Sequence, residues 1–290
     1  MKKFFKWTSY LLFTIVLVVC VFYAYAFFST RARLATKYDI TLQPIDITSD
    51  SVILSEGARL MTIKGCRDCH GDDLGGKVWL DDPMLGRIVA PNLTRGRGGL
   101  PSDYTSHDWL TALKHGLSRN KTPLIIMPAN EFSTLTQHDM NALIAYGQQL
   151  EDVDRELPKL QIGFLGYLLT SLDAIPMIPA EKIDHTRQLS KAIAHEVTVD
   201  FGKYLSVACE GCHRKNMKGG SPVAPGFPEV ADITASGNVG DWSEAEFIGT
   251  LRTGKTPEGK ILKQEEMPWM LTQHYTDVEL KALYLYLKSL

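Results

Sequence analysis

Apolar residues fill the chain from Trp7 to Phe28, with Thr8, Ser9 and Thr14 the small polar interruptions. As a helix those 22 residues span ~33 Å, enough for the hydrocarbon core of a bilayer. Lys2, Lys3 and Lys6 precede the run. Trp7, Tyr10, Tyr23 and Tyr25 stand near its ends, where aromatic belts sit. The run predicts an N-terminal signal-anchor transmembrane helix over 1–30. Ala24-Tyr25-Ala26 has the A-x-A form of a cleavage site, so cleavage after Ala26 is the competing reading. The run is long for the apolar part of a removed signal peptide. Residues 31–50 are polar and aperiodic, a tether.

Helical spacing begins at Ser51. Thr105-Ser106-His107-Asp108 has the form of a capping box, followed by Trp109, Leu110 and Leu113 on one helical face, and Gly116 predicts the stop. Thr136 to Asp139 opens a second helix with Met140, Leu143, Ile144 and Leu150 apolar. The Gly-, Asp- and Pro-containing stretch from Gly71 to Pro91 predicts mostly loop. The second half repeats this order. Trp242 to Gly254 aligns without gaps on Tyr104 to Gly116, offset by 138 positions. Thr276, Glu279, Leu280, Leu283 and Tyr286 answer Thr136, Asp139, Met140, Leu143 and Tyr146 at an offset of 140. A repeat this long indicates duplication of one all-α domain, at 51–150 and 199–290, joined by a connector over 151–198. The connector's middle, from Leu160 to Pro179, is apolar but broken by Gly163, Gly166, Pro176 and Pro179, too interrupted for a second span. Packing between the two domains is its expected role; resting on the bilayer or on a partner is the alternative.

The formal net charge of −2 gives no case for nucleic acid. Four of the five cysteines fall in Cys66-Arg67-Asp68-Cys69-His70 and Cys209-Glu210-Gly211-Cys212-His213. C-x-x-C-H is the attachment signature of a c-type haem: the thiols add to neighbouring vinyl groups and the His faces the iron. A structural zinc site wants its C-x-x-C pairs about 15–20 residues apart, whereas Cys66 and Cys209 are separated by 143 positions. Met127 and Met267 each precede Pro, in a loop before the last helix of each half, offset by 140. This matched position makes them the expected second axial ligands. Met61, Met84, Met140, Met177 and Met217 are expected core residues. His107, His115, His138, His185, His195 and His274 have no partners in the repeat; among them His115 is the nearest alternative ligand.

The succession Ala90-Pro91-Asn92-Leu93-Thr94, Trp109 to Gly116, Met127-Pro128 and Asp139 to Tyr146, set around C-x-x-C-H, resembles the cytochrome c subunits of membrane-bound bacterial alcohol and sugar-acid dehydrogenases. The resemblance covers roughly 51–290. It implies two class I-like cytochrome c domains in tandem, each wrapped around one covalent haem. Cys66, Cys69, Cys209 and Cys212 would be thioether anchors, His70 and His213 proximal ligands, and Met127 and Met267 distal ones. Those subunits commonly carry three haems, and their membrane contact is placed differently.

Two irons closed by nitrogen and sulfur transfer electrons rather than bind substrate. The expected function is a single-pass, inner-membrane dihaem electron carrier with its bulk in the periplasm, where c-type haem is attached. Its donor would be a dehydrogenase or quinol-oxidising complex, and its acceptor a soluble cytochrome or terminal oxidase. The alternatives are a dihaem redox enzyme of peroxidase or thiosulfate-oxidising type with one exchangeable iron, or an assembly factor in which haem is structural.

Overall fold

A computed structural model describes residues 2–223 and 226–290; Met1, the first residue of the expected anchor, lies outside the described residues. The chain runs α1 (Lys2–Ala35), α2 (Ser51–Ile63), α3 (Cys66–His70), β1 (Lys77–Asp82), β2 (Gly86–Ala90), α4 (Ser106–His115), α5 (Ala129–Phe132) and α6 (Gln137–Gly147). It continues through β3 (Gln161–Ile162), α7 (Phe164–Ser171), α8 (Val199–Ser206), α9 (Glu210–His213), α10 (Asn238–Asp241), α11 (Glu244–Thr253), α12 (Trp269–Thr272) and α13 (Asp277–Lys288). The fold is mostly helical. Two compact units share it: Met1–Gln43, Cys69–Ser133 and Leu150–Arg187 form one, and Pro44–Asp68, Thr134–Gln149 and Gln188–Leu290 the other.

In the first unit, Leu74, Ile88, Trp109, Leu110, Leu113, Leu117, Phe132 and Met177 are buried. Thr105 and Asp108 close a reciprocal capping box at the head of α4, and Gly116 ends it in the left-handed conformation at φ 64°. α1 is long and apolar enough to cross a membrane. It is exposed as far as Phe22 and docks one face from Tyr23 onward against α7.

Three expectations change here. The stretch from Gly71 to Pro91 is not mostly loop: β1 and β2 form an antiparallel hairpin, with Val78 opposite Val89 and Leu80 opposite Ile88, and β3 adds a third strand. A bulge between Val78 and Leu80 breaks the alternation that would mark the strand. The fold is therefore not purely helical. The connector's apolar middle becomes β3 and α7, which cover β2 and α1. Finally, Met84 is 51% exposed at the hairpin turn, while Met61, Met140, Met177 and Met217 are buried as expected.

In the second unit two helix pairs cross, α2 with α6 and α8 with α13. Each crossing hinges on a missing Cβ. A Cβ on Gly57 would lie 2.1 Å from the Ala142 carbonyl oxygen and 2.6 Å from Tyr146 Cβ. On Gly202 it would lie 2.0 Å from the Ala282 oxygen and 2.6 Å from Tyr286 Cβ. Backbone meets backbone at both places, so no larger residue fits without parting the helices. Phe201, Leu205, Leu280, Leu283 and Leu287 are buried around the second crossing. Two polar links also join helices of this unit: Arg59 of α2 pairs with both Glu56 and Glu279 of α13, and Tyr204 of α8 donates to Asp139 of α6.

Gly202→Ala is expected to cost about 1–3 kcal/mol through overpacking, read as a lowered thermal midpoint of the haem-loaded protein. Gly249→Ala, in α11 with nothing within 4 Å of the added Cβ, is expected to gain roughly 0.5–1 kcal/mol from helix propensity. Equal effects at the two positions would refute the crossing account.

Candidate haem-binding sites

The second C-x-x-C-H begins where α8 ends. A short 3-10 turn over Val207–Cys209 leads directly into α9, so Cys209, Cys212 and His213 lie on consecutive tight turns. The first motif is α3 itself, one turn of helix from Cys66 to His70. All four cysteines are half-buried, as thiols that bond a group in a protein interior must be.

Both histidines have the same partner type. His70 Nδ1 lies 2.8 Å from the Pro91 carbonyl oxygen, and His213 Nδ1 lies 2.9 Å from that of Ala231. A carbonyl only accepts, so Nδ1 carries the proton and Nε2 keeps its lone pair. Burial pushes both imidazoles below their ordinary pKa, partly opposed by those carbonyl bonds. A neutral ring, oriented through Nδ1 and with Nε2 available, is the donor state a metal requires.

The loops after each histidine match position by position. Positive φ recurs at Gly71 (83°) and Arg214 (67°), at Leu74 (56°) and Met217 (59°), and at Gly76 (80°) and Gly219 (60°). The His70 carbonyl accepts from Gly76 N–H at 2.7 Å, and the His213 carbonyl from Gly219 N–H at 3.0 Å. Leu74 and Met217 carbonyls accept from Leu93 and Ile233. The carbonyls that hold the imidazoles precede Asn92 and Asp232, whose side chains accept from the N–H and hydroxyl of Thr94 and Thr234. Left-handed φ at non-glycine residues costs energy and clusters at functional sites; here it sits in the same register twice.

Met127 and Met267 are half-buried and share one backbone form. Pro128 and Pro268 have φ/ψ of −77°/51° and −76°/61°. The methionine carbonyls accept from Ala129 and Trp269 N–H, both at 2.7 Å. Upstream, Leu124 and Leu262 N–H donate to the carbonyls of Gly116 and Gly254. Met270, three residues past Met267, is 46% exposed. Asn92-Leu93-Thr94 and Asp232-Ile233-Thr234 align at an offset of 140, and the carbonyls of Pro91 and Ala231 stand one residue before each.

These residues fit a covalent haem. Two thiols follow one helix turn, an imidazole lone pair is fixed by its second nitrogen, and a thioether is held by proline. His115 lies 3.0 Å from His185 through the Nδ1 atoms, and the two rings stack. His185 Nε2 donates to the Ala180 carbonyl, so its Nδ1 accepts and His115 Nδ1 donates. His115 Nε2 and the neighbouring Lys114 Nζ are buried without a hydrogen-bond partner among the described residues.

Residues 199–290, about a third of the chain, match the cytochrome c family model, and members of that family hold a covalently attached c-type haem. Across more of its length the chain is similar to the cytochrome c subunit of a quinone-type alcohol dehydrogenase from Gluconacetobacter polyoxogenes, 24% identical over 278 residues, covering 83% of this chain and 57% of the relative. The corresponding subunit of Gluconobacter oxydans is 22% identical over 271 residues, covering 83% and 55%. A gluconate 2-dehydrogenase cytochrome c subunit from Pantoea cypripedii is 27% identical over 106 residues, covering 35% of this chain and 24% of the relative. The chain spans little more than half the length of the curated alcohol dehydrogenase subunits it matches.

The histidine pair makes a pH prediction. Burial, then the charges of Lys114 and His185, hold His115 down at about 4. Its folded value lies below the ordinary 6.5, so between those values the unfolded chain binds a proton that the folded chain refuses. Stability should fall as pH drops from about 6.5 to about 4, by roughly 3 kcal/mol at most from this group. Denaturant titrations across that window should give a shallower acid limb for His115→Gln. Parallel limbs would show that the imidazole does not titrate as derived.

Proposed function

We propose that the chain is a membrane-anchored dihaem cytochrome c that relays single electrons. Cys66 and Cys69 would tether one haem, with His70 and Met127 as axial ligands. Cys209 and Cys212 would tether the other, with His213 and Met267. The haem domains would lie at 51–150 and 199–290, joined by 151–198, with 1–30 as the anchor and 31–50 as its tether. The observation that carries the reading is the doubled set: the same histidine bond, the same three positive-φ positions and the same Met-Pro backbone recur in both halves.

Bound there, haem supplies a one-electron iron couple. The chain's own residues would do the rest. Pro91 and Ala231 carbonyls hold each imidazole in one tautomer, the half-buried thiols would attach the haem, and the Met-Pro loops would offer a thioether. Ligation by both imidazole and thioether would leave no position for a reactant, which supports electron transfer over peroxide or thiosulfate chemistry. The relatives are named as cytochrome c subunits of dehydrogenases, which supports a dehydrogenase as donor. A soluble cytochrome or terminal oxidase is the corresponding acceptor, and quinol oxidation the other source of electrons. The apolar α1 supports attachment to the bacterial inner membrane, with the haem domains in the periplasm.

Haem analysis of the purified chain is expected to give two covalent haems. Cys209→Ala combined with Cys212→Ala should lower the count to one, and so should Cys66→Ala with Cys69→Ala. Met127→Ala and Met267→Ala should each abolish the Met-to-iron charge-transfer band of one haem and leave the other. A single haem in the unaltered chain, or rapid cyanide uptake by either iron, overturns the reading.

A further inference from the structure

α1 and α7 run side by side in the same direction. Phe164 stacks on Tyr23 with ring centroids 4.3 Å apart, and Tyr167 meets Phe27 at 4.8 Å. Thr30 Oγ1 donates to the Tyr167 carbonyl. Further along, Arg33 donates to the Thr170 carbonyl at 2.8 Å and pairs with Asp173 and Glu181. The charged end of this packing therefore lies at the C-terminal end of α1, and Phe164 lies at the end nearest its exposed apolar run.

The helix rise fixes the depth. Counted from Trp7, where the apolar run begins, Tyr23 is ~24 Å and Phe27 ~30 Å along the helix at 1.5 Å per residue, against a hydrocarbon core of ~30 Å. If α1 spans, the stretch from Tyr23 to Phe27 approaches the boundary of the bilayer, and Phe164 and Tyr167, which pack on those two rings, lie there too. Beside Phe164 is the turn of the β1–β2 hairpin: Leu165 N–H donates to the Met84 carbonyl, and Gly163 N–H to that of Leu85. Met84 is 51% exposed and Phe164 45%. From Leu160 to Leu172 there is no charged residue. At the turn, Asp82 accepts from the N–H groups of Met84 and Leu85, and the neighbouring Asp81 is paired with Arg87.

We propose that the hairpin turn carrying Met84 and the first turn of α7 carrying Phe164 seat in the headgroup region of the leaflet from which α1 emerges. They would form a second, non-spanning membrane contact. Large apolar side chains clustered on a surface mark such a contact, and an aromatic with an unbranched thioether suits the interface. The inference rests on α1 being the anchor. Its consequence is orientation: a helix alone leaves its cargo free to tilt, whereas two contacts rigidly joined through Tyr23, Phe27, Thr30 and Arg33 fix the tilt of the first unit over the bilayer.

The test places the photocrosslinker benzoylphenylalanine singly at Met84, Phe164, Val16 or Asn120 in the full haem-loaded chain. The protein is reconstituted in phosphatidylethanolamine–phosphatidylglycerol vesicles. Val16 reports the anchor and Asn120 an exposed loop of the same unit. After irradiation, mass spectrometry is expected to find the mass of one phospholipid added at 84, 164 and 16, and none at 120. Because Met84 is exposed, that variant tests the contact without disturbing the Tyr23 stack. Adducts at 16 with none at 84 and 164 would overturn the proposal and leave the surface for a protein partner. Absence at 16 would overturn the anchor itself.

Discussion

The helix crossings depend on the approach of one backbone to another at Gly57 and Gly202. A hypothetical methyl at either place would sit about 2 Å from a carbonyl oxygen, so the helices can cross only where the side chain is hydrogen. That contact sets the position of the chemistry. α2 ends at Ile63 and α8 at Ser206, in each case three positions before the first cysteine of a motif. The crossing helices therefore determine where each motif starts and in which direction it turns. Ala142 with Tyr146, and Ala282 with Tyr286, receive the two glycines in the same way, so the repeat extends to a packing contact.

Polar contacts in the second unit add specificity to this apolar framework. Glu279 is nearly buried, yet it receives both terminal nitrogens of Arg59 and also closes the capping box of α13 with Thr276. Asp139, the corresponding residue of α6, does not close a full box. Its carboxylate accepts from Tyr204, whose hydroxyl is pushed well above its ordinary pKa by burial and by that carboxylate. One ancestral position thus has two partners. A buried ion pair contributes little net stability against an apolar substitute, but it tolerates only one arrangement of its helices.

Much of this was legible in the sequence because it rests on local chemistry. The cysteine motifs, the capping residues Thr105, Ser243 and Thr276, and the stops at Gly116 and Gly254 involve contacts a few residues apart. The hairpin was not legible: its strands are short, a bulge at Val78 to Leu80 breaks their period, and Pro83 and Gly86 read as loop. α7 was equally hidden. Its apolar residues fit any of three destinations, and what selects one is an aromatic stack with a residue 141 positions earlier, Tyr23. The helix crossings lay between these cases. Gly57 and Gly202 are ordinary helix glycines until the halves are aligned and Tyr146 and Tyr286 appear opposite them.

The histidine loops show why sequence can drift while a site persists. The imidazole is held by a backbone carbonyl, and every residue type has one, so Pro91 and Ala231 serve equally. The turn that aims that carbonyl needs a short side-chain acceptor, which Asn92 and Asp232 both supply to a following threonine. Even the left-handed residue after the histidine is glycine once and arginine once. What recurs is the hydrogen-bond pattern: proton on Nδ1 and lone pair on Nε2, with burial lowering the pKa of both rings. Selection on that pattern leaves residue identity free wherever main-chain atoms carry the function, so the two halves keep the same geometry with few shared letters outside their cysteines and histidines.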